Sequence, residues 1–278
     1  MTATLTTADG LPLHLHHWPR ADAKGTVLIV HGLGEHGGRY AHVAAALNGA
    51  GWSVVSYDHR GHGRSGGARG RIDRDDALLE DLALVIDAVR AEHPGRLLLL
   101  GHSMGGLIAA RFVAEGLQPQ PARWQREVDA LVLSSPALAA DMNAVQKLLL
   151  ASLGRLAPDL AVGNGLKPAW VSRDAAVVRA YVADPLVHDR ITPRLARFIL
   201  DGGALVRGLA SRWRVPTLLM WAGSDRCVAP RGSAEFARSA PAGVLQAQEF
   251  APLYHEIFNE PEQAQVLARL HEWLLQRD

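Results

Sequence analysis

Leu97 to Gly106 reads L-L-L-L-G-H-S-M-G-G and runs straight into Leu107-Ile108-Ala109-Ala110-Arg111-Phe112-Val113-Ala114. An apolar run, a serine between glycines and a second apolar run predict buried strand, sharp turn and helix. Gly101-His102-Ser103-Met104-Gly105 matches Gly-x-Ser-x-Gly, the turn that holds a nucleophilic serine between a strand and a helix. The glycines have a steric reason: a side chain at Gly101 or Gly105 crowds a tight turn beside the incoming helix. The helix N-terminus adds backbone N–H groups where negative charge develops during acyl transfer. The pentapeptide alone arises by chance in glycine-rich chains. Its place after a buried strand and before a helix gives it weight.

The pattern on either side agrees. Asp9-Gly10 marks a turn inside an N-terminal hairpin from Leu5 to Trp18. Thr26-Val27-Leu28-Ile29-Val30 and Trp52 to Tyr57 read as strands, the first buried on both faces. A helix is expected from about Tyr40 to Leu47. Asp75 to Glu92 places Leu78, Leu82, Val85 and Val89 on one helical face and stops at Pro94-Gly95. Ala130 to Leu133, Thr217 to Trp221 and Gln246 to Phe250 are further strands. Pro261 to Gln276 closes the chain as a helix with Val266, Leu267, Leu270, Trp273 and Leu274 inward. Such alternation predicts an α/β fold, a mostly parallel central sheet flanked by helices. From about Ala137 to Ala210 no strand is expected. Leu149, Leu153, Leu156 and Leu160 mark a helical face there, and Thr192 to Leu200 a second helix. The expected organisation is a core of residues 1–137 and 209–278 and a helical cap, 138–208, inserted after the sixth strand.

Composition sets bounds. The chain has 278 residues, and 48% are hydrophobic, enough for a sizeable α/β core. A formal net charge of +1 gives no electrostatic case for nucleic acid. The single cysteine, Cys227, excludes an intramolecular disulfide, so nothing requires an oxidising compartment. No basic-then-apolar leader opens the sequence, and no apolar stretch reaches the length of a membrane span. A cytoplasmic protein is expected; oligomeric state is not fixed.

A serine hydroxyl needs a base, and the base needs a carboxylate to hold its tautomer. On this strand–turn–helix arrangement the order is serine, acid, histidine. Downstream of Ser103 the histidines are His188, His255 and His271. His188 falls in the cap and His271 inside the closing helix, whereas His255 follows the last strand in a loop. Asp225 lies just beyond Thr217 to Trp221, at a strand carboxyl end where ligands gather. Asp174, Asp184 and Asp201 are fallbacks within the cap. Met104 N–H and Leu33 N–H, the latter in His31-Gly32-Leu33-Gly34, are the expected oxyanion donors.

Five ordered segments carry a resemblance. They are Val30 to Tyr40 (V-H-G-L-G-E-H-G-G-R-Y), Tyr57 to Gly67 (Y-D-H-R-G-H-G-R-S-G-G), Leu99 to Gly106, Gly223 to Arg226 and Tyr254 to Glu256. Together they resemble the monoacylglycerol lipase and lysophospholipase branch of the α/β-hydrolases, and Asp184-Pro185-Leu186-Val187-His188 in the cap resembles it too. The resemblance implies a Ser103–His255–Asp225 triad, an oxyanion hole at Leu33 and Met104, no cofactor, and hydrolysis of single-chain lipid esters. A short-chain carboxylesterase or lysophospholipase of the same fold is the alternative. Cys227, two residues past Asp225, reads as a packed small hydrophobe.

Rival readings are testable. Gly32-x-Gly34-x-x-Gly37, with Asp58 about 20 residues on, formally matches the dinucleotide fingerprint of an NAD-dependent oxidoreductase. Glu35 then stands where pyrophosphate would sit, and Ser103, Asp225 and His255 go unexplained. A non-catalytic binding protein on the same fold would also leave that set unused. His31 with His36, or His59 with His62, lack a third ligand at a telling spacing, so no metal is expected. For the Leu149–Leu160 stripe two readings stand: packing over a substrate tunnel, or transient contact with a membrane surface. With Lys147 and Arg155 the nearby cations, the tunnel is favoured.

Overall fold

Val27 to Val30 and Leu97 to Leu100 have no polar face, so their strands need apolar cover on both sides. The computed structural model describes residues 3–142 and 144–276. The chain opens with the hairpin β1 (Thr4–Thr6) and β2 (Pro12–Trp18), turning at Gly10 with a φ of +86°. Then come β3 (Gly25–Val30), α1 (Ala41–Gly49), β4 (Ser53–Tyr57), α2 (Ala77–Glu92), β5 (Arg96–His102), α3 (Met104–Glu115) and β6 (Ala130–Ser134). The long crossover after this sixth strand carries α4 (Ala144–Leu156), β7 (Val162–Gly163), α5 (Ala175–Ala183), β8 (Arg190–Ile191) and α6 (Pro193–Gly208). β9 (Thr217–Ala222), α7 (Pro230–Ser239), β10 (Leu245–Phe250) and α8 (Gln263–Leu275) complete the chain.

The main sheet runs β1-β2-β4-β3-β5-β6-β9-β10. β1 and β2 pair antiparallel, as do β2 and β4, and every pairing from β4 to β10 is parallel. The doubly wound sheet expected from the alternation is therefore present, with an antiparallel hairpin on one edge. Leu98 and Leu100 face one layer, with Leu47 of α1 and Val266, Leu270 and Trp273 of α8. Leu97 and Leu99 face the other, with Leu82 and Ile86 of α2, Phe112 of α3, Phe198 of α6 and Phe236 of α7. Each such side chain, fully buried, contributes about 1.5–3 kcal/mol.

Three readings need correction. The segment expected to lack strands holds β7 and β8, a two-residue antiparallel pair. The helix near Thr192 runs eight residues beyond the expected Leu200, to Gly208, because Leu195, Phe198 and Val206 join the α2–α3 layer and carry α6 onto the core. The leucine stripe does not pack over a tunnel. Leu153 is half-buried, but Leu156 and Leu160 are 85% and 53% exposed. The side chains of Lys147 and Leu149 lie outside the described residues. α7 had no apolar period to announce it: Phe236 is its one large buried residue.

Candidate active site

Parallel strands put their carboxyl ends on one edge, and the loops that follow β3, β5, β9 and β10 meet there. β5 ends in the turn that carries Ser103, held at φ +54° and ψ −121°. That is strained backbone for a residue with a Cβ, and it lifts the hydroxyl off the strand. The flanking glycines are needed. A Cβ on Gly101 would lie 2.5 Å from Gly105 O, and one on Gly105 would run into the carbonyls of Val30 and His31.

Asp225 follows β9 and His255 follows β10, as expected. His255 Nε2 lies 2.8 Å from Ser103 Oγ, and Asp225 Oδ2 accepts from His255 Nδ1 at 2.7 Å. Asp225 Oδ1 accepts the N–H groups of Cys227 (2.8 Å) and Val228 (3.0 Å), which fixes the carboxylate plane. Burial alone would lower the His255 pKa; the charge and hydrogen bond of Asp225 outweigh it and raise it. The fallback acids sit elsewhere: Asp174 caps α5, Asp184 bonds His36, and Asp201 lies along α6. His188 stacks on His62, with ring centroids 4.6 Å apart.

The loop after β3 packs against Ser103; a Cβ on Gly32 would stand 3.2 Å from Ser103 Cβ. Gly32 N–H donates to Glu35 Oε1 at 2.6 Å and is thereby engaged within the loop that carries Leu33. Met104 opens α3, so its N–H belongs to the unpaired first turn. His102 accepts or donates at Ser134 and, with burial pushing its pKa down to about 4, stays neutral beside His255.

Four residues that the motifs did not single out brace this edge. Arg39 bonds both oxygens of Glu256 (2.8 and 2.7 Å) and Glu35 Oε2 (2.6 Å), and its guanidinium lies over the Tyr181 ring of α5. Glu260 is fully buried. Its Oε1 accepts Ser172 Oγ–H (2.8 Å) and Arg173 N–H (2.5 Å), and its Oε2 accepts Arg173 Nε–H (2.6 Å) and Tyr254 N–H (3.0 Å). Glu256 N–H donates to Val171 O at 2.8 Å. Both neighbours of His255 are thus tied to residues 171–173. Arg39, Glu35 and Glu256 all stood inside quoted motifs, but nothing in the sequence marked their contact with one another.

The glycines of the dinucleotide reading are used internally. Gly34 (φ +78°) lies under the His188 carbonyl, and Gly37 lies against Ser56 and His16. Asp225, Cys227 and His255 bring ligand-type atoms together, but both His255 nitrogens are engaged by Ser103 and Asp225.

A cavity of about 390 Å³ opens at Ser103. Leu33, Leu166, Pro168, Val171, Tyr181 and Val182 supply apolar wall, and Glu35, Asp184 and Asp189 supply polar wall. No described residue of α4 lines it; α5 and the chain on either side of it do.

Comparison with known proteins agrees with this geometry. A family model described as serine aminopeptidase, S33, matches residues 21–262. A monoacylglycerol lipase of Mycolicibacterium smegmatis is 37% identical over 262 residues, covering 92% of this chain and 90% of that protein. A phospholipase of Bacillus subtilis is 32% identical, covering 90% and 94%. The crystal structure of Paleococcus ferrophilus monoacylglycerol lipase superposes with a TM-score of 0.83 at 35% identity, covering 96% of this chain and 99% of that one. The chain therefore belongs to the S33 family of α/β-hydrolases, in the branch that holds the monoacylglycerol lipases.

Proposed function

We propose that Ser103, His255 and Asp225 form the triad of a serine ester hydrolase of the monoglyceride lipase type. The observation that carries this is the unbroken relay from Asp225 Oδ2 through His255 to Ser103 Oγ, at 2.7 and 2.8 Å, at the mouth of the cavity. His255 Nε2 takes the Ser103 proton as Oγ attacks the ester carbonyl. Leu33 N–H and Met104 N–H hold the oxyanion. The intermediate collapses, His255 returns the proton to the leaving alcohol, and an acyl-Ser103 forms. Water, deprotonated by the same imidazole, releases the acid. Asp225 holds the His255 tautomer and stabilises the imidazolium.

Residues 138–208 are the cap in this reading, with α6 as its root. The apolar wall takes the acyl chain, and the polar groups beside Ser103 face the alcohol. Leu148, Leu156 and Leu160, exposed by 69, 85 and 53%, are fit for transient contact with a membrane surface. No helix among the described residues is long and apolar enough to cross one. The cytoplasmic location expected from the sequence belongs to this proposal and is checked by cell fractionation.

Hydrolysis of p-nitrophenyl esters from acetate to palmitate and of a monoacylglycerol, with Ser103→Ala as control, tests the reading. A peak at medium or long chains with glycerol release supports a monoacylglycerol lipase. A peak at acetate or butyrate without glycerol release makes it a short-chain esterase. Near wild-type turnover by Ser103→Ala, or an aminoacyl anilide preferred over every ester, overturns it.

A further inference from the structure

Three side chains far apart in sequence meet behind the loop that carries Leu33. His16 comes from β2, His36 from the loop after β3 and Asp58 from the end of β4. One donor atom from each lies within 4.8 Å of the other two. His16 Nε2 and Asp58 Oδ1 are 2.8 Å apart. His36 Nδ1 is buried with no hydrogen-bond partner, while its Nε2 bonds Asp184 Oδ2 at 2.9 Å. An imidazole fixed by a carboxylate through one nitrogen and free at the other is the usual posture of a metal-ligating histidine.

The carboxylate is fixed as well. Asp58 Oδ1 accepts Gly37 N–H and Oδ2 accepts Arg64 N–H, each at 2.8 Å. Burial would raise its pKa; the bonds from His16, Arg64 N–H and Gly37 N–H outweigh that and keep it ionised. Room is kept open too. A Cβ on Gly38 would come within 3.0 Å of His36 Nδ1 and 3.3 Å of His16 Cε1. The His16 side chain, 14% exposed, gives a path to solvent.

We propose that His16 Nε2, His36 Nδ1 and the Asp58 carboxylate bind a zinc ion, with water as the fourth ligand. Tetrahedral zinc with bonds of about 2.0–2.2 Å spaces its donors about 3.4 Å apart. His16 Nε2 and Asp58 Oδ1, at 2.8 Å, would move apart slightly to admit the ion, and all three donors already lie within 4.8 Å of one another. Two imidazoles and one carboxylate suit zinc better than magnesium or calcium, which prefer oxygen throughout. The ion takes the place of the hydrogen between His16 Nε2 and Asp58 Oδ1, and neutral His16 then carries its N–H on Nδ1. Both imidazoles must be neutral to ligate, so affinity falls as pH falls. The bound ion pins β2 to the Leu33 loop and, through Asp184, to the cap.

The test is titration of metal-free full-length protein with Co²⁺ as optical probe, then displacement by Zn²⁺ followed by calorimetry. The expected result is one equivalent bound, a tetrahedral visible spectrum without a thiolate charge-transfer band, and a zinc-dependent rise in Tm. His16→Gln keeps an N–H donor for Asp58 and so keeps the fold, checked by circular dichroism. It and His36→Gln should weaken binding about 100-fold or more, and Asp184→Asn about 10- to 100-fold. Lack of binding by folded wild-type protein overturns the proposal, as does affinity unchanged in both glutamine variants. A thiolate band also overturns it, since it places the ion at Cys227. None of these readouts depends on ester hydrolysis.

Discussion

Lowering the pH from 7 to 5 should destabilise this protein steeply, because of four buried histidines other than His255. His31, His59, His62 and His102 are buried at the carboxyl edge of the sheet, and burial pushes all four pKa values down. For His59 and His102 the value falls to about 4. In the unfolded chain each titrates near 6.5. Their stabilising share is therefore fully present above pH 6.5 and is lost as pH falls from 6.5 toward 4, where only the unfolded chain takes the proton. At pH 5 unfolding takes up about 1.8 protons at His59 and His102 together. Integrated from pH 7 to 5, the two groups cost about 4 kcal/mol, a large part of the 5–15 kcal/mol typical of a folded domain. His31 and His62 act in the same direction. His255 has the opposite sign: its raised pKa gives stability present below pH 6.5 and lost as pH rises through the folded value. Urea unfolding followed by tryptophan fluorescence at pH 7, 6 and 5 measures the effect, with the midpoint falling and the slope unchanged. His59→Gln should remove about 0.9 proton from the pH 5 linkage. A wild-type unfolding free energy at pH 5 within about 1 kcal/mol of that at pH 7 would refute the reasoning.

Asp225→Asn should lower kcat by about 10⁴ in the p-nitrophenyl ester assay, as loss of the orienting acid does in serine proteases. The acid limb of kcat/KM should move to lower pH, because Asp225 is what offsets burial at His255. Glu260→Gln turns an NH₂ toward two of the four donors that meet there and should cost about 1–3 kcal/mol of stability. With a short ester it should cut kcat and spare KM, since what loosens is the His255 loop; unchanged kcat at reduced Tm would make Glu260 purely structural. Leu156→Asp with Leu160→Asp should weaken sedimentation with anionic vesicles while p-nitrophenyl butyrate hydrolysis stays at the wild-type rate.

The sheet and the meeting of Ser103, Asp225 and His255 at one edge were legible because local signals mark both. Leu97 to Leu100 buries on two faces whatever surrounds it, and a serine between close-packed glycines announces its own turn. Asp225 and His255 followed from chain order, since each parallel strand delivers its successor loop to the same edge. The crossover was less legible. Leu156 and Leu160 have helical spacing, but periodicity says that two residues share a face and not which way it looks. Glu260 gave no signal, because its partners Ser172, Arg173 and Tyr254 converge only after the cap folds back. His16 and Asp58 are likewise 42 residues apart and meet through the antiparallel pairing of β2 with β4.

The same contacts say how cap and chemistry are joined. On one side His188 N–H donates to Gly34 O at 2.9 Å and Asp184 holds His36, so the crossover grips the loop that carries Leu33. On the other, Val171 O, Ser172 and Arg173 grip both neighbours of His255. Lifting residues 138–208 as one body would break both sets and disturb the Leu33 loop and His255 together. The apolar wall between the grips is built differently. Leu166 and Val182 line the cavity and are 38 and 65% exposed, so they make less of the packing that resists motion. The wall beside α5 can therefore shift with far less loss of contact than a rigid opening demands, while Ser103, His255 and the Leu33 loop stay in register.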